Sequence, residues 1–319
     1  MDDKKKRKRS MKKLFGNKRF DVESSLNMHA TSFIVLPAFA IYEEDIIGAY
    51  KAQIQHCHIY LIGLVPKIDL VDCIQDGLDL VTSCQLAGHQ YDLRWPMPPG
   101  LSLKGDCESG WYVIDAAGTK SFPNLDVLMA RLNAETHIDF KVLYIGQAFG
   151  ENGSRNALDR LRKHETLQKI AVKGTPQEYV LTLLLLEIIL YPRILMMFNP
   201  FAKDASQGRN RINKGLNKLA NTTEAEKTTL YEASLIRYFA PPYNKEFKDS
   251  FPSTNMKLLA DFYDKDIAAV TAEVVFDNLP FRLYSDTVAA RDWHMAHHDL
   301  HKEEDRKVFF LGAPSTKDR

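Results

Sequence analysis

The sequence has few cysteines, and none lies in a pattern that a disulfide framework or a structural metal requires. Its 319 residues contain four, with no C-x-x-C pair and no zinc-ligand spacing: Cys57, Cys73, Cys84 and Cys107. A disulfide-stabilised secreted scaffold and a zinc finger are therefore both disfavoured. We expect four reduced thiols in a cytosol-like compartment.

The sequence also offers no clear segment that would target a chain to a membrane or span one. The charged N-terminus has no apolar core after it, so we expect no signal peptide. The longest apolar run, residues 179–198, is interrupted by Glu187, Arg193 and the helix-breaking Pro192. A buried strand followed by a short helix fits this run better than a membrane span. We expect no integral membrane protein, and a membrane-associated factor stays open as an alternative.

The net charge of +1 combines a basic N-terminus with an acidic body. Residues 1–19 carry ten Lys or Arg and two Asp, which leaves 32 basic and 39 acidic side chains elsewhere. Such a body disfavours general affinity for nucleic acid, so any affinity must come from the tail or from a local patch. Residues 1–28 fit a disordered tail, a phosphate-binding arm, or an import signal or engineered leader. We expect a cytoplasmic protein, or a nuclear one if the tail is an import signal.

Residues 142–164 combine a strand, a Gly-rich loop and a helix, with Ser154 as a candidate N-cap. On one continuous helix, Arg160 and His164 lie four residues apart and share a face. A tyrosine at the strand end, Tyr144, would then meet a guanidinium and an imidazole at one edge of the sheet. Such a set suits phosphate binding and proton transfer.

A second polar group follows in the segment YEASLIRYFAPPYNKEF. Glu232 lies on an amphipathic helical pattern that Pro241 and Pro242 end, and Asn244 comes directly afterwards. The pattern E-x-x-L-I-x-x-F-x-P-x-Y-N places a carboxylate and a carboxamide near each other.

Together these residues resemble the GIY-YIG nucleases, a family that includes homing endonucleases, some restriction enzymes and a subunit that nicks damaged DNA. Tyr144-Ile145-Gly146, then R-x-x-x-H, then E…P-x-Y-N occur in the family's order, over about residues 110–247. The family's first strand carries G-I-Y, and the nearest candidate is Gly110-Trp111-Tyr112. The stretch NLDVLMARLN would be a helix inserted between the two strands.

The resemblance implies an α/β (α+β) fold with a small antiparallel sheet flanked by helices. This nuclease-like domain would span residues 106–250, after a basic tail of residues 1–28 and an N-terminal α/β module of residues 29–105. A C-terminal extension would span residues 251–319. The boundary near residue 105 rests on the proline-rich loop RWPMPPG, and the N-terminal module is expected to serve packing, specificity or partner binding.

The resemblance also implies a metal-dependent endonuclease that hydrolyses phosphodiester bonds, in DNA rather than RNA. Restriction or defence against foreign DNA is a plausible setting by analogy. Glu232 would hold Mg²⁺ or Mn²⁺, Arg160 would clamp the scissile phosphate, and Tyr112 or Tyr144 would position or deprotonate the attacking water. His164 would assist proton transfer or hold Tyr144. Asn244 would orient the Glu232 loop, and Gly146 would let the backbone approach the phosphate closely.

Three alternatives stay open. A catalytically inactive nucleic-acid-binding or scaffold protein could keep the same fold. The basic segment 203–218, which includes Arg209 and Arg211, is either a solvated loop or a loop that contacts the substrate. Four histidines near the C-terminus fit a solvated helix end or packing positions better than a metal site: His294, His297, His298 and His301.

Overall fold

The computed structural model describes residues 2–148, 157–188 and 193–310. Its α-helices within these ranges are α1 (Asp2–Phe15), α2 (Glu44–Ile54), α3 (Leu125–Thr136), α4 (Ala157–Leu161), α5 (Glu165–Lys173), α6 (Gly208–Asn221), α7 (Glu224–Phe239) and α8 (Lys257–Asp264). A 3-10 helix spans Ala38–Tyr42. The predicted N-cap Ser154 lies outside the described residues.

One large mixed sheet forms the centre of the molecule. Its strands are β1 (Val22–Pro37), β2 (Ile59–Pro66), β9 (Asp139–Gln147), β10 (Tyr179–Ile188), β11 (Arg193–Phe198), β12 (Ala269–Val275), β13 (Arg282–Tyr284) and β14 (Trp293–Asp299). They are ordered β13-β9-β2-β10-β1-β12-β14, and β11 pairs with β1 beside β10. In the spatial order β9, β2, β10 and β1, each strand is antiparallel to the next. The presence of both helices and sheets confirms the predicted class at this coarse level.

Two small sheets lie in a long insertion between β2 and β9. The first is a meander of β3 (Ile68–Asp76), β4 (Asp79–Leu86) and β5 (His89–Pro96), and the second consists of β6 (Ser102–Lys104), β7 (Tyr112–Ile114) and β8 (Lys120–Ser121). Residues 67–138, which also include α3, are called the insertion below. The predicted helix at Asn124–Asn133 is confirmed as α3.

The predicted boundary near residue 105 does not separate two domains with their own sheets. Strands β1 and β2 precede that boundary, yet β2 lies between β9 and β10, and β1 lies beside β10. Residues 22–28, the end of the predicted basic tail, form the buried first part of β1. The prediction was wrong because a proline-rich loop marks the end of a local element, whereas strand pairing joins segments that are distant in sequence.

The sheet is covered on both faces, and the strand side chains alternate between two cores. Leu184 and Leu186 of β10 join the core under α3, α7 and α8, whereas Leu183 and Leu185 join the core under α2, α4 and α5. Strands β2 and β10 are apolar at almost every position, as expected for strands with two buried faces.

The apolar run 179–198 forms strands β10 and β11, on either side of residues 189–192, which lie outside the described residues. The predicted buried strand is confirmed, and the predicted short helix after it is wrong, because β11 pairs with β1. Within the described ranges, no helix has the length and apolar character needed to cross a membrane.

The N-terminal tail and the C-terminal histidines also differ from expectation. Residues 2–15 of the predicted disordered tail form α1. The predicted helix end near residue 294 is strand β14, where His294 Nε2 donates to Leu283 O and His298 Nε2 donates to Ser234 O. The rings therefore take separate packing positions. All four cysteines are free, and Cys107 is the exposed one among them.

Candidate active site

A bulge in β9 sets the direction of Tyr144. Along the β2–β9 pair, Tyr144 lies opposite Ile62, whereas Val142 lies opposite the next residue of β2, so Leu143 is the extra residue. Leu143 and Tyr144 consequently both face the core under α2, α4 and α5, while Val142 and Ile145 face the other core. Bulges of this kind redirect side chains beside functional sites.

Gly146 lies directly opposite Tyr60 of β2. A Cβ atom at residue 146 would come within 2.5 Å of the Tyr60 ring and 2.8 Å of the Tyr144 ring. The absence of a side chain therefore lets two phenol rings pack over the strand backbone, with ring centroids 6.2 Å apart. This is a packing reason for glycine, and it differs from the expected approach of backbone to a phosphate.

Tyr60, not Tyr112, is the second tyrosine beside Tyr144. Tyr112 lies on β7 in the insertion, where its ring contacts Phe122, and it does not line the cleft that contains Tyr144. The prediction was wrong because it searched for the partner strand just upstream of β9. The signal that could have found Tyr60 is the tripeptide His58-Ile59-Tyr60 at the start of an apolar strand.

His164 does not lie on the helix that carries Arg160. Helix α4 ends at Leu161, and His164 has extended dihedral angles (φ −89°, ψ 108°) as the N-cap of α5. Its Nδ1 accepts a hydrogen bond from the Leu167 amide at 3.2 Å. The prediction that Arg160 and His164 share a helix face is therefore wrong. His164 caps the N-terminus of α5, so a separate helix begins after it.

The imidazole of His164 is nevertheless close to both tyrosines. Its ring centroid lies 5.6 Å from that of Tyr60 and 5.0 Å from that of Tyr144. Burial lowers the pKa of His164, and the positive charge of Arg160 lowers it further. A neutral ring that accepts at Nδ1 carries its proton on Nε2, so His164 is suited to holding the phenol rings in place.

Glu232 projects from α7, whose start and end are both well defined. Thr223 and Glu226 form a reciprocal capping box at the N-terminus, and Ala240 takes a left-handed conformation at the C-terminus before Pro241. Glu232 is 8% exposed. Its pKa rises to about 8 because burial disfavours the charged form and the charge of Glu246 adds to this effect; Arg160 and a backbone hydrogen bond from Gln147 oppose it.

Asn244 connects the end of α7 to the strand that carries Tyr144. Its Nδ2 donates to Ile145 O at 2.8 Å, and its Oδ1 accepts from Ile145 N at 2.9 Å. The Tyr243 amide also donates to Leu143 O at 3.2 Å. Strand β13 pairs with Asp139–Lys141 at the start of β9. Further along the same edge of β9, Tyr243 and Asn244 make the hydrogen bonds instead.

These elements meet at a cleft of about 530 Å³. Its lining includes Tyr60, Tyr144, Arg160, Glu232 and Asn244, so the structure brings four of the predicted residues together and adds Tyr60. Further charged side chains complete the lining, with both signs present: Glu165, Lys169, Lys245 and Glu246. Such a concave polar site with convergent tyrosine, arginine and carboxylate groups suits an anionic ligand and proton transfer.

Both phenols in the cleft are held in their neutral form. Burial raises the pKa of Tyr60, the adjacent Tyr144 raises it further, and the charge and hydrogen bond of Arg160 oppose the increase. Burial and the charge of Glu232 likewise raise the pKa of Tyr144. In the absence of a cation the two phenols are therefore hydrogen-bonding groups, not bases.

The carboxylates of the cleft suit a hard divalent cation better than a transition metal with several protein ligands. Among the residues that the structure describes, no three His, Cys, Asp or Glu side chains are grouped to hold a metal ion. Glu232 and Glu246 line the same cleft, and the charge of Glu246 raises the pKa of Glu232. One or two carboxylates completed by water and substrate phosphates are the ordinary Mg²⁺ environment.

The predicted substrate contacts Arg209 and Arg211 do not line this cleft. The polar segment around them is helix α6, not a loop. Arg211 is 7% exposed and pairs with Glu23 and Asp266, so its role is structural. The prediction for Arg211 was wrong because its acidic partners lie far away in the sequence. Arg209 is exposed on the same helix.

No family model matches the chain, and comparison with curated proteins and with solved structures gives no match. The chemical interpretation of the cleft consequently rests on its own residues.

Proposed function

We propose that the protein is a metal-dependent endonuclease of the GIY-YIG type that hydrolyses phosphodiester bonds in DNA. The observation that carries the proposal is the meeting of Tyr60, Tyr144, Arg160 and Glu232 in one cleft. The four residues come from two adjacent strands and two helices that are far apart in sequence. A guanidinium for the phosphate, phenols for the water and a buried carboxylate for a cation are the groups that this reaction needs.

Arg160 binds the scissile phosphate in this proposal. A guanidinium presents two parallel N–H groups to phosphate oxygens and keeps its charge at every working pH. Because Arg160 is exposed at the cleft and also hydrogen-bonds Tyr60, it can hold the phosphate next to the phenols. Its removal is expected to cost about 10²- to 10³-fold in rate, as the loss of one donor to a developing oxyanion does.

Glu232 would hold the cation, with Glu246 in the lining of the same cleft. When bound, Mg²⁺ or Mn²⁺ supplies a Lewis acid that stabilises charge on the phosphate and lowers the pKa of a bound water. Glu232 must lose its proton to act as a ligand, so cation binding competes with protonation at neutral pH. Asn244 fixes the distance between the Glu232 helix and the Tyr144 strand.

Tyr60 and Tyr144 orient the attacking water, and His164 keeps their rings in place. Because their pKa values are raised, both phenols stay protonated unless a positive charge enters the cleft. Water can then be held by a phenol that both donates and accepts.

The test is cleavage of a supercoiled plasmid with Mg²⁺ or Mn²⁺ by the intact chain and by Glu232→Gln, Arg160→Ala and Tyr60→Phe. We expect metal-dependent cutting that each substitution lowers by at least about 10²-fold. Tyr42→Phe and Arg209→Ala serve as matched controls outside the cleft, and both are expected to cut normally.

Two results would count against the proposal. Cutting that persists in Glu232→Gln would place the chemistry elsewhere. The inactive nucleic-acid-binding protein would be favoured if the intact chain binds plasmid, linear and single-stranded DNA but cuts none of them with either metal.

A further inference from the structure

A second, apolar cavity of about 180 Å³ lies in the insertion, between the two small sheets and the start of α3. Its walls include Trp95, Trp111, Tyr112 and Phe122. The Trp95 indole N–H donates to Thr82 Oγ1 at 2.9 Å, so this polar group is satisfied within the wall. The cavity therefore presents flat aromatic surfaces with little demand for polar partners.

Two lysines lie beside the aromatic part of this cavity's lining but do not line the cavity themselves. Phe122 is 65% exposed, and its ring centroid lies 5.7 Å from that of Tyr112. Lys120 Nζ lies 4.5 Å from the Tyr112 centroid, and Lys104 is the cross-strand partner of Tyr112. Both lysines are exposed, and within the described part of the chain neither forms an ion pair with a carboxylate. Large exposed aromatic rings beside free lysines are unusual on an acidic body.

We propose that this cavity binds an unpaired nucleobase of a nucleic-acid strand, stacked against Phe122 and Tyr112 with Lys104 and Lys120 on the flanking phosphates. Aromatic rings alternating with cations are the way in which proteins hold single-stranded nucleic acid. An apolar cavity of about 150 Å³ holds a benzene ring, so a cavity slightly larger suits a single six-membered ring, such as a pyrimidine. An apolar peptide side chain could contact the same aromatic walls, but it has no negative charge for the two lysines to bind.

The location of the insertion separates this contact from the cleft. Tyr60 is the second residue of β2, and the insertion begins after Pro66, about 20 Å further along the strand. The proposal rests on the proposed function in that it names a nucleic acid as the ligand. It adds that a distorted or single-stranded region near the cut site is recognised.

The test measures binding of a short fluorescent single-stranded pyrimidine oligonucleotide in EDTA. The protein is the full chain with Glu232→Gln, so that no cutting intervenes. Adding Phe122→Ala, which removes an exposed ring, is expected to weaken binding roughly 5- to 150-fold, the effect of losing one stacked base. Phe198→Ala removes a ring of similar exposure, 61%, on β11 and is expected to leave binding unchanged.

Two further arms identify the ligand. A matched oligonucleotide with abasic sites is expected to bind as weakly as the Phe122→Ala variant does to the normal strand. Tryptophan fluorescence, with Trp95 and Trp111 in the cavity wall, is expected to be quenched by the oligonucleotide. Equal affinity for the abasic strand would overturn the proposal, as would quenching by a short leucine-rich peptide without quenching by the oligonucleotide.

The outcomes also separate this proposal from the proposed function. Metal-dependent plasmid cutting together with binding that ignores Phe122 would refute the base contact alone. Binding that depends on Phe122, without any cutting by the wild-type chain, would leave the base contact standing and refute the endonuclease.

Discussion

The carboxamide of Asn244 binds both backbone groups of Ile145, so a side chain takes the place that a neighbouring strand would occupy. The pair joins residues 99 positions apart and fixes the end of α7 against the strand that carries Tyr144. Both backbone groups are buried, and a buried polar group without a partner is costly. The geometry of the cleft therefore depends on one amide.

We expect Asn244→Ala to destabilise the fold by about 2 to 4 kcal/mol, because it leaves two buried backbone groups unpaired. Asn244→Asp keeps an acceptor for the Ile145 amide but places a buried carboxylate oxygen 2.8 Å from Ile145 O, so at neutral pH it should cost at least as much as the alanine. Urea unfolding measures both values, with the exposed Asn210→Ala as control. A loss below about 0.5 kcal/mol for Asn244→Ala would show that water or a shifted loop replaces the amide.

Gly146→Ala is expected to destabilise by about 1 to 3 kcal/mol, since its Cβ would overlap the Tyr60 ring. Tyr60→Leu removes the closer of the two rings, so in that background the alanine should cost less, with the 2.8 Å approach to the Tyr144 ring remaining, and the double-mutant cycle should give a coupling energy. The control is Gly48→Ala on α2, where no atom lies within 4 Å of an added Cβ. That change should stabilise by about 0.5 to 1 kcal/mol. Additive effects of the two substitutions at 146 and 60 would contradict the packing explanation.

The contribution of Glu232 to the stability of the metal-free protein is expected to fall as the pH rises from about 4.5 to about 8. In this window Glu232 holds its proton in the folded state but has lost it in the unfolded state, so raising the pH favours unfolding. Each pKa unit corresponds to about 1.4 kcal/mol, and the total is a few kcal/mol.

Chemical unfolding in EDTA across this pH range, for the wild type and for Glu232→Gln, tests the effect. The glutamine variant should gain stability relative to the wild type as the pH rises, whereas the exposed Glu178→Gln should show no such trend. Divalent cation should restore wild-type stability most strongly near pH 8, because less proton competes for the carboxylate. A pH-independent difference would mean that Glu232 is hydrated in the folded protein.

Arg211→Ala is expected to destabilise by about 3 to 5 kcal/mol, because it leaves Glu23 in the interior with one of its two arginine partners removed. Arg209→Ala, two residues away on the exposed side of α6, should change stability by less than about 0.5 kcal/mol. Thermal or urea unfolding of both variants distinguishes the buried arginine from the solvated one. Similar small effects in both variants would show that Arg211 contributes no more to stability than a surface charge does.

Features encoded within one continuous segment could be predicted from the sequence. The helix with Glu232 has an N-cap signal at Thr223 and ends before Pro241, so its limits follow from local chemistry. Strand β10 was predictable from its apolar run. Asn244 could be placed near Glu232 because only eleven residues lie between them.

Features that depend on pairing between distant segments could not be predicted from the sequence. Tyr60 lies 84 residues before Tyr144 in the sequence, and only the β2–β9 register brings the two together. Spacing on a helix gave no warning that His164 would cap α5. The burial of Arg211 likewise required knowledge of Glu23, which is 188 residues away on β1.

The sixteen residues of β1 take part in two halves of the sheet at once. The first part pairs with β11 and β12, and the second part pairs with β10, next to the strands that carry the tyrosines. Neither half can open while the other keeps β1 in place, so the molecule should unfold in a single cooperative transition. Amide hydrogens at the middle of β1 should then exchange only through global unfolding. A destabilising substitution in the C-terminal half of the sheet should lower the stability of the whole molecule, the cleft included, without a local rearrangement there.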